Sequence, residues 1–326
     1  MARTVPSART MAVVATVAVL AFLARGHLVT SDLDLDGFRP APPAGTRDLS
    51  AYEGLGTWID AFDYGPAYAG GDPAVTPEDI DAMADSGVRT LYIQANRDDE
   101  RSPDGFVDRA LLDQFVVRAH ERGMAVVGWY LPTFTSVATD LGHLQDLLDY
   151  EVDGHRLDGI GVDIEYTEAV PDVARRNTKL LALSRQLDRA AGETPISAIV
   201  LPPVLTEVVN PDFWPGFPWA DLEPHYDIWL PMSYWTERTE SSGYNDGARY
   251  HEESHQRLLR NLGNPDAVVH GIGGIGDATT EEDLLAFTEA LAATGAVGGS
   301  VYDWATLSDS NIALLNRLFA SWPEVE

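Results

Sequence analysis

Two carboxylates on a short apolar run, Asp163 and Glu165 in Gly159-Ile-Gly-Val-Asp-Ile-Glu-Tyr166, are the residues of this 326-residue sequence best placed to do chemistry. In an extended chain, side chains two apart share a face. Gly161, Asp163 and Glu165 therefore point one way, and Ile160, Val162 and Ile164 the other. Two acids crowded on a buried face repel, which raises the pKa of one of them. A carboxylic acid kept protonated near neutrality is what general acid catalysis needs. The nearby cations, His155 and Arg156, precede the run at its opposite end. Asp63, Asn96, Trp129, Tyr130, Tyr234, Trp235, Asp303 and Trp304 stand at the ends of other apolar runs. Aromatic faces stack on sugar rings while acids and amides bond to hydroxyls, so this set suits carbohydrate.

A second pattern competes. His251-Glu-Glu-Ser-His255 matches H-E-x-x-H, two imidazoles one helical turn apart with a glutamate between them, which suits zinc with Glu252 as base. Its neighbours Arg249, Glu253, Gln256 and Arg257 are polar, and no third ligand stands at a recognised spacing, so a solvated helix face is the expectation. Gly271-Ile-Gly-Gly-Ile-Gly276 lacks the following cation of a phosphate loop, and no serine sits in a G-x-S-x-G elbow. No metal or cofactor is expected.

The elements that must position these residues recur. Eight β-rich runs end at 62, 96, 131, 166, 202, 235, 275 and 304, spaced 29 to 40 residues apart. Unbroken Val/Ile runs of this kind suit strands buried on both faces. Helical patterns lie between them, at 111–122, roughly 140–153, 171–191, 250–262 and 310–321, with capping signals at Thr76-Pro-Glu-Asp79 and Thr280-Glu-Glu-Asp283 and glycine stops at Gly123, Gly192, Gly263 and Gly295. Eight β–α units in one chain of this length predict a single α/β (β/α)₈ barrel, a TIM barrel, over residues 55–326. In such a barrel the working residues sit at the carboxyl ends of the strands.

Composition narrows the class. Lys and Arg total 22 against 51 Asp and Glu, a net charge of −29, which argues against nucleic acid as a partner. There is no cysteine, so disulfides, thiolate metal sites and a Cys nucleophile are excluded. Lys179 is the only lysine. Residues 1–30 carry Arg3, Arg9 and Arg25, no acid, and an apolar run at 11–24. That is the pattern of a secretory signal, or of an N-terminal membrane tether if it is retained, and predicts an extracellular or cell-surface location. Residues 31–54, rich in Asp, Pro and Gly, read as a solvated linker. Oligomeric state is not readable from these residues.

Asp158-Gly-Ile-Gly-Val-Asp163-Ile-Glu165 resembles the DGxDxDxE signature of glycoside hydrolase family 18, the chitinase-like barrels. The resemblance implies that Glu165 is the proton donor and that Asp163 orients the N-acetyl group of the substrate. The middle Asp of the pattern is Gly161 here, which removes the usual hydrogen-bond partner of Asp163. Met232-Ser-Tyr234 is similar to the family's strand-six MxY, implying that Tyr234 contacts the N-acetyl carbonyl. Gly299-Ser-Val-Tyr-Asp-Trp304 is similar to its strand-eight GGxMxW, implying that Trp304 floors the sugar pocket. Many retaining barrels take a carboxylate nucleophile from strand seven; here that strand ends Gly-Ile-Gly-Gly-Ile-Gly, with no acid before Asp277. The implied route is substrate-assisted hydrolysis of an N-acetylglucosamine-containing glycan. The alternatives are a barrel that binds glycan without cleaving it, and a two-carboxylate enzyme using Asp63 or Asp303.

Overall fold

The computed structural model describes residues 47–322. The expected signal or anchor segment lies outside them. All eight expected strands are present: β1 (Gly54–Ile59), β2 (Thr90–Asn96), β3 (Ala125–Tyr130), β4 (Gly159–Ile164), β5 (Ile196–Val200), β6 (Ile228–Pro231), β7 (His270–Ile275) and β8 (Gly298–Tyr302). All run parallel, and β1 pairs with both β2 and β8. The ring closes where Trp229 N donates to Val268 O (3.0 Å) and Ser233 N to Ile272 O (2.8 Å). The fold is therefore the (β/α)₈ barrel expected from the spacing.

Among the described residues the helices are α1 (Ala61–Tyr64), α2 (Asp79–Asp85), α3 (Arg109–Glu121), α4 (Val137–Leu148), α5 (Val173–Ala190), α6 (Trp219–Leu222), α7 (Gly247–Leu262), α8 (Glu281–Thr294) and α9 (Asp309–Phe319). Short polar side chains start the long ones: Asp108, Ser136, Asp172, Asp246 and Ser308 each accept an N–H of the first turn. Thr280 and Asp283 form a reciprocal capping box on α8. None of these helices is long and apolar enough to cross a membrane.

The core is in two parts. Outward-facing strand residues such as Ile160, Val162 and Ile164 pack under the helices. Inward-facing ones, Trp58, Tyr92, Val127, Trp129, Ile199, Leu230, Met232 and Ile272, fill the lumen. The segment expected as linker is described from Arg47 onward, and there it belongs to the barrel. Tyr52, on the turn Ser50–Tyr52, is fully buried and plugs the amino-terminal end. Its carbonyl accepts His270 Nδ1 (2.8 Å), whose Nε2 accepts the Ser300 hydroxyl (3.0 Å), which in turn accepts Trp58 Nε1 (2.8 Å). Burial holds His270 neutral, pushing its pKa down to about 4. A directed chain thus runs from the plug toward the mouth, alongside the stacked rings of Trp58 and Tyr92, 4.3 Å apart.

Candidate active site

β4 follows the parity read from its sequence. The Ile/Val set is buried on the helix side, and Asp163 and Glu165 face inward at the carboxyl end. Glu165 is partly open at the mouth; Asp163 lies deeper, 7% exposed, and its Oδ1 is buried without a hydrogen-bond partner. Burial, then the charge of Glu165, pushes Asp163 well above the usual carboxylate range, and burial raises Glu165 too.

Gly161 is in register with Trp129 on β3 and with Ser197 on β5. A side chain added there would meet Trp129 Cβ and Ile199 Cδ1 at 2.9 Å. The space that the middle Asp of the motif would fill is taken by hydrophobic neighbours, so Asp163 has no carboxylate beneath it.

Tyr234, just past β6, is in the same chamber. Burial first, then the charges of Glu165, Asp163, Asp303 and Asp60, hold its phenol protonated far above neutrality. Asp60, Asp63 and Asp303 complete the mouth from the β1 and β8 sides. Asp60 Oδ2 accepts the Tyr302 hydroxyl (2.6 Å), and Asp63 Oδ2 accepts Asp60 N (2.7 Å). Burial and the charges of Asp60 and Asp303 raise Asp63 to about 8; burial and Asp60 raise Asp303 to about 6. Five carboxylates thus share one end of the barrel, and among the described residues none of the five is in an ion pair.

Four expected contacts fall elsewhere. Tyr130 is next to the lumen-facing Trp129 and so points outward; its hydroxyl donates to Asp140 (2.9 Å) and its ring stacks on His143. Trp235, next to Tyr234, is buried against Phe287 and Gly247 on the helix side. Asn96 follows a register shift in β2, and its amide donates to the His143 carbonyl (2.9 Å). Trp304 lies past the end of β8, half-buried against the barrel–helix core; the lumen aromatic of β8 is Tyr302, 5.8 Å from Tyr234 and 6.5 Å from Trp58. Tyr302 and Asp60 are the site residues that the sequence reading missed. Both were legible from strand parity, Asp60 falling two past Trp58 and Tyr302 two past Ser300.

The loop after Glu165 is held from below. Arg176 of α5, buried with no carboxylate partner among the described residues, donates to the carbonyls of Thr167 (3.1 Å) and Val170 (2.8 Å), with its guanidinium 4.1 Å over the Trp214 ring. Lys179, one turn on, donates to the carbonyls of Phe134 and Thr135 after β3.

The His251/His255 pair is not a solvated face. Both rings are buried where α7 packs on β7 and α8, with His251 Nε2 bonded to Thr294 Oγ1 (3.0 Å). Burial pushes His251 down to about 3 and lowers His255 as well, so both are neutral core residues. Among the described residues no group of three or more His, Cys, Asp or Glu is arranged to hold a metal ion.

No family model matches the sequence, and no curated protein matches it either. Solved structures do. The hyperthermostable endo-1,4-beta-D-mannanase of Thermotoga petrophila is 11% identical with a TM-score of 0.59, the match covering 82% of this chain and 99% of that one. A class V chitinase of Pseudomonas fluorescens is 10% identical with a TM-score of 0.58, covering 81% and 98%. The PgaB glycoside hydrolase domain of Bordetella bronchiseptica is 11% identical with a TM-score of 0.56, covering 82% and 98%. At such identities the likeness is one of fold. The chain is an α/β barrel of the architecture these hydrolases use, with a carboxylate-rich mouth at its carboxyl end.

Proposed function

We propose that this chain is a glycoside hydrolase acting on a glycan that contains N-acetylglucosamine, with Glu165 as the proton donor. The observation that carries this reading is the buried Asp163–Glu165 pair on one face of β4, beside Tyr234 and Tyr302. Burial raises Glu165 and so favours its protonated form, from which it can deliver a proton to the leaving glycosidic oxygen. Asp163 is deeper and has an oxygen free to accept. As the N-acetyl oxygen of the sugar attacks the anomeric carbon and the bond to the leaving oxygen breaks, Asp163 passes its proton to the Glu165 carboxylate just formed, and its own carboxylate then stabilises the oxazolinium ion. Tyr234 remains a phenol and donates to the acetamide. The Tyr302 ring takes the stacking role that the motif comparison gave to Trp304. The fold likeness to mannan- and chitin-cleaving barrels supports the same reaction class.

A two-carboxylate mechanism is the second reading, favoured by the raised Asp63 and Asp303 across the mouth. It requires no N-acetyl group. The basic and apolar pattern of residues 1–30 supports export to the cell exterior or surface. The discriminating experiment incubates the protein and its Glu165→Gln variant with reducing-end-labelled chito-oligosaccharides, peptidoglycan fragments and acetyl-free glucans. Cleavage of the acetylated members only, lost in the variant, is expected. Cleavage that persists in Glu165→Gln overturns the assignment, and equal cleavage of acetyl-free glucans moves it to the two-carboxylate mechanism. Retention of one glycan without cleavage would leave a binding barrel.

A further inference from the structure

One carboxylate bonds to two aromatic residues at the mouth, to the side chain of one and, as the N-cap of α1, to the backbone of the other. Asp60 Oδ2 accepts the hydroxyl of Tyr302, whose ring lines the lumen, and Asp60 Oδ1 accepts the backbone N–H of Phe62 (2.6 Å). Phe62 lies on α1, directly past β1, and is 50% exposed. Among the described residues only Val208 and Leu285 are comparably exposed large apolar side chains, and neither is aromatic. Single exposed apolar residues are ordinary on a soluble surface. Phe62 differs in being fixed. Tyr68 meets its ring edge-on at 5.8 Å, the Arg97 guanidinium lies over it at 5.2 Å, and Arg97 itself donates to Gln94 Oε1 (3.4 Å). Arg101 closes the stack, 4.1 Å over Tyr68. A flat apolar ring already immobilised on the rim can be covered by a ligand at little cost in side-chain entropy.

Building on the glycoside hydrolase reading, we propose that Tyr302 and Phe62, joined through Asp60, are successive stacking platforms for pyranose rings, Tyr302 inside the mouth and Phe62 as an outer subsite. The occupant of the outer platform is a further sugar of the same glycan, because Phe62 follows β1 two residues past Asp60, the mouth carboxylate that accepts the Tyr302 hydroxyl. Phe62 then governs affinity for long substrates and has no part in bond cleavage.

The test uses the Glu165→Gln protein, so that binding is read without turnover. Titration calorimetry with chito-oligosaccharides and manno-oligosaccharides of two to six residues is compared with the same protein also carrying Phe62→Ala. The longest ligands are expected to bind about tenfold more weakly in the double variant and the disaccharide within about twofold, with Phe62→Trp restoring the affinity. Equal affinity at every length, or an equal loss at every length, overturns the outer subsite while leaving the hydrolase reading intact. Failure of the Glu165→Gln protein to bind any of the oligosaccharides overturns the glycan reading and the subsite with it.

Discussion

The two ends of the barrel treat buried charge in opposite ways. At the amino-terminal end, Arg47 is almost fully buried and bonds to Asp227 Oδ2 (2.9 Å), to Asp188 Oδ1 (3.2 Å) and to the carbonyls of Asp188 and Gly192. Asp227 also accepts Ile196 N (2.9 Å), and Asp158 accepts both Val126 N (2.7 Å) and His120 Nε2 (2.9 Å). Each of these carboxylates has a cation or a ring N–H as partner, and Asp227 and Asp158 each have a backbone donor as well. At the carboxyl end, five carboxylates share the mouth with no cationic partner among the described residues, and Asp163 keeps an oxygen with no hydrogen-bond partner among them. One end is compensated as a structural joint; the other carries the mutual repulsion that pKa tuning requires. The difference marks the carboxyl end as the candidate site without reference to any motif.

Four measurements break or sharpen that contrast. The largest effect is expected at Glu165. Glu165→Gln lowers kcat by about 10²–10⁴-fold, while Tm holds or rises because a repelling buried acid is gone. A fall in Tm together with retained activity would place Glu165 among the structural residues. At the opposite end, Arg47→Met strands Asp188 and Asp227 and is expected to lower stability by about 3–5 kcal/mol in denaturant titration, with kcat unchanged in the folded protein. Smaller is Gly161→Asp. It restores the middle acid of the motif, yet it forces a side chain against Trp129 and Ile199 and adds a charge to the cluster, so a loss of about 1–3 kcal/mol is expected from the overpacking. A variant as stable as the parent would show that the lumen can repack.

The smallest effect is a pH dependence. Asp63 and Asp303 are raised on folding, to about 8 and about 6, so the native state holds their protons longer than the unfolded chain does. Their contribution to stability is whole below about pH 4, the usual carboxylate value, and is lost as pH rises through 6 and then 8. Tm is expected to decline across that window, and Asp63→Asn to flatten its upper part. An unaltered slope in Asp63→Asn assigns the decline to other groups.

The barrel and its acid pair were readable because both rest on strong periodicity. Eight regularly spaced apolar runs specify eight strands, and the alternation of Ile160, Val162 and Ile164 against Asp163 and Glu165 specifies which side of β4 is inward. What escaped lies where a period breaks or was not applied. Tyr130 and Trp235 adjoin lumen residues and by parity must face outward. Asn96 follows a register shift that no residue type announces. Trp304 stands two past Tyr302, but the strand has ended and the alternation with it. The polar neighbours of His251 suggested a solvated helix, yet α7 turns Tyr250, His251, Ser254, His255 and Leu258 inward while Arg249, Glu253 and Arg257 occupy its other side. A helix with charges on one side says little about which polar residues its partner will bury.

The Tyr52 plug has a consequence for traffic. With that ring sealing one end, and with Tyr92 and Trp58 filling the bore above it, nothing threads the barrel. Whatever enters at the carboxylates leaves by the same opening. A long polymer can then be handled only by lying across the rim, with a few units dipping inward and the remainder trailing over the surrounding loops. Both fragments of a severed strand would face the same solvent, free to diffuse or to be regripped without passing through the protein.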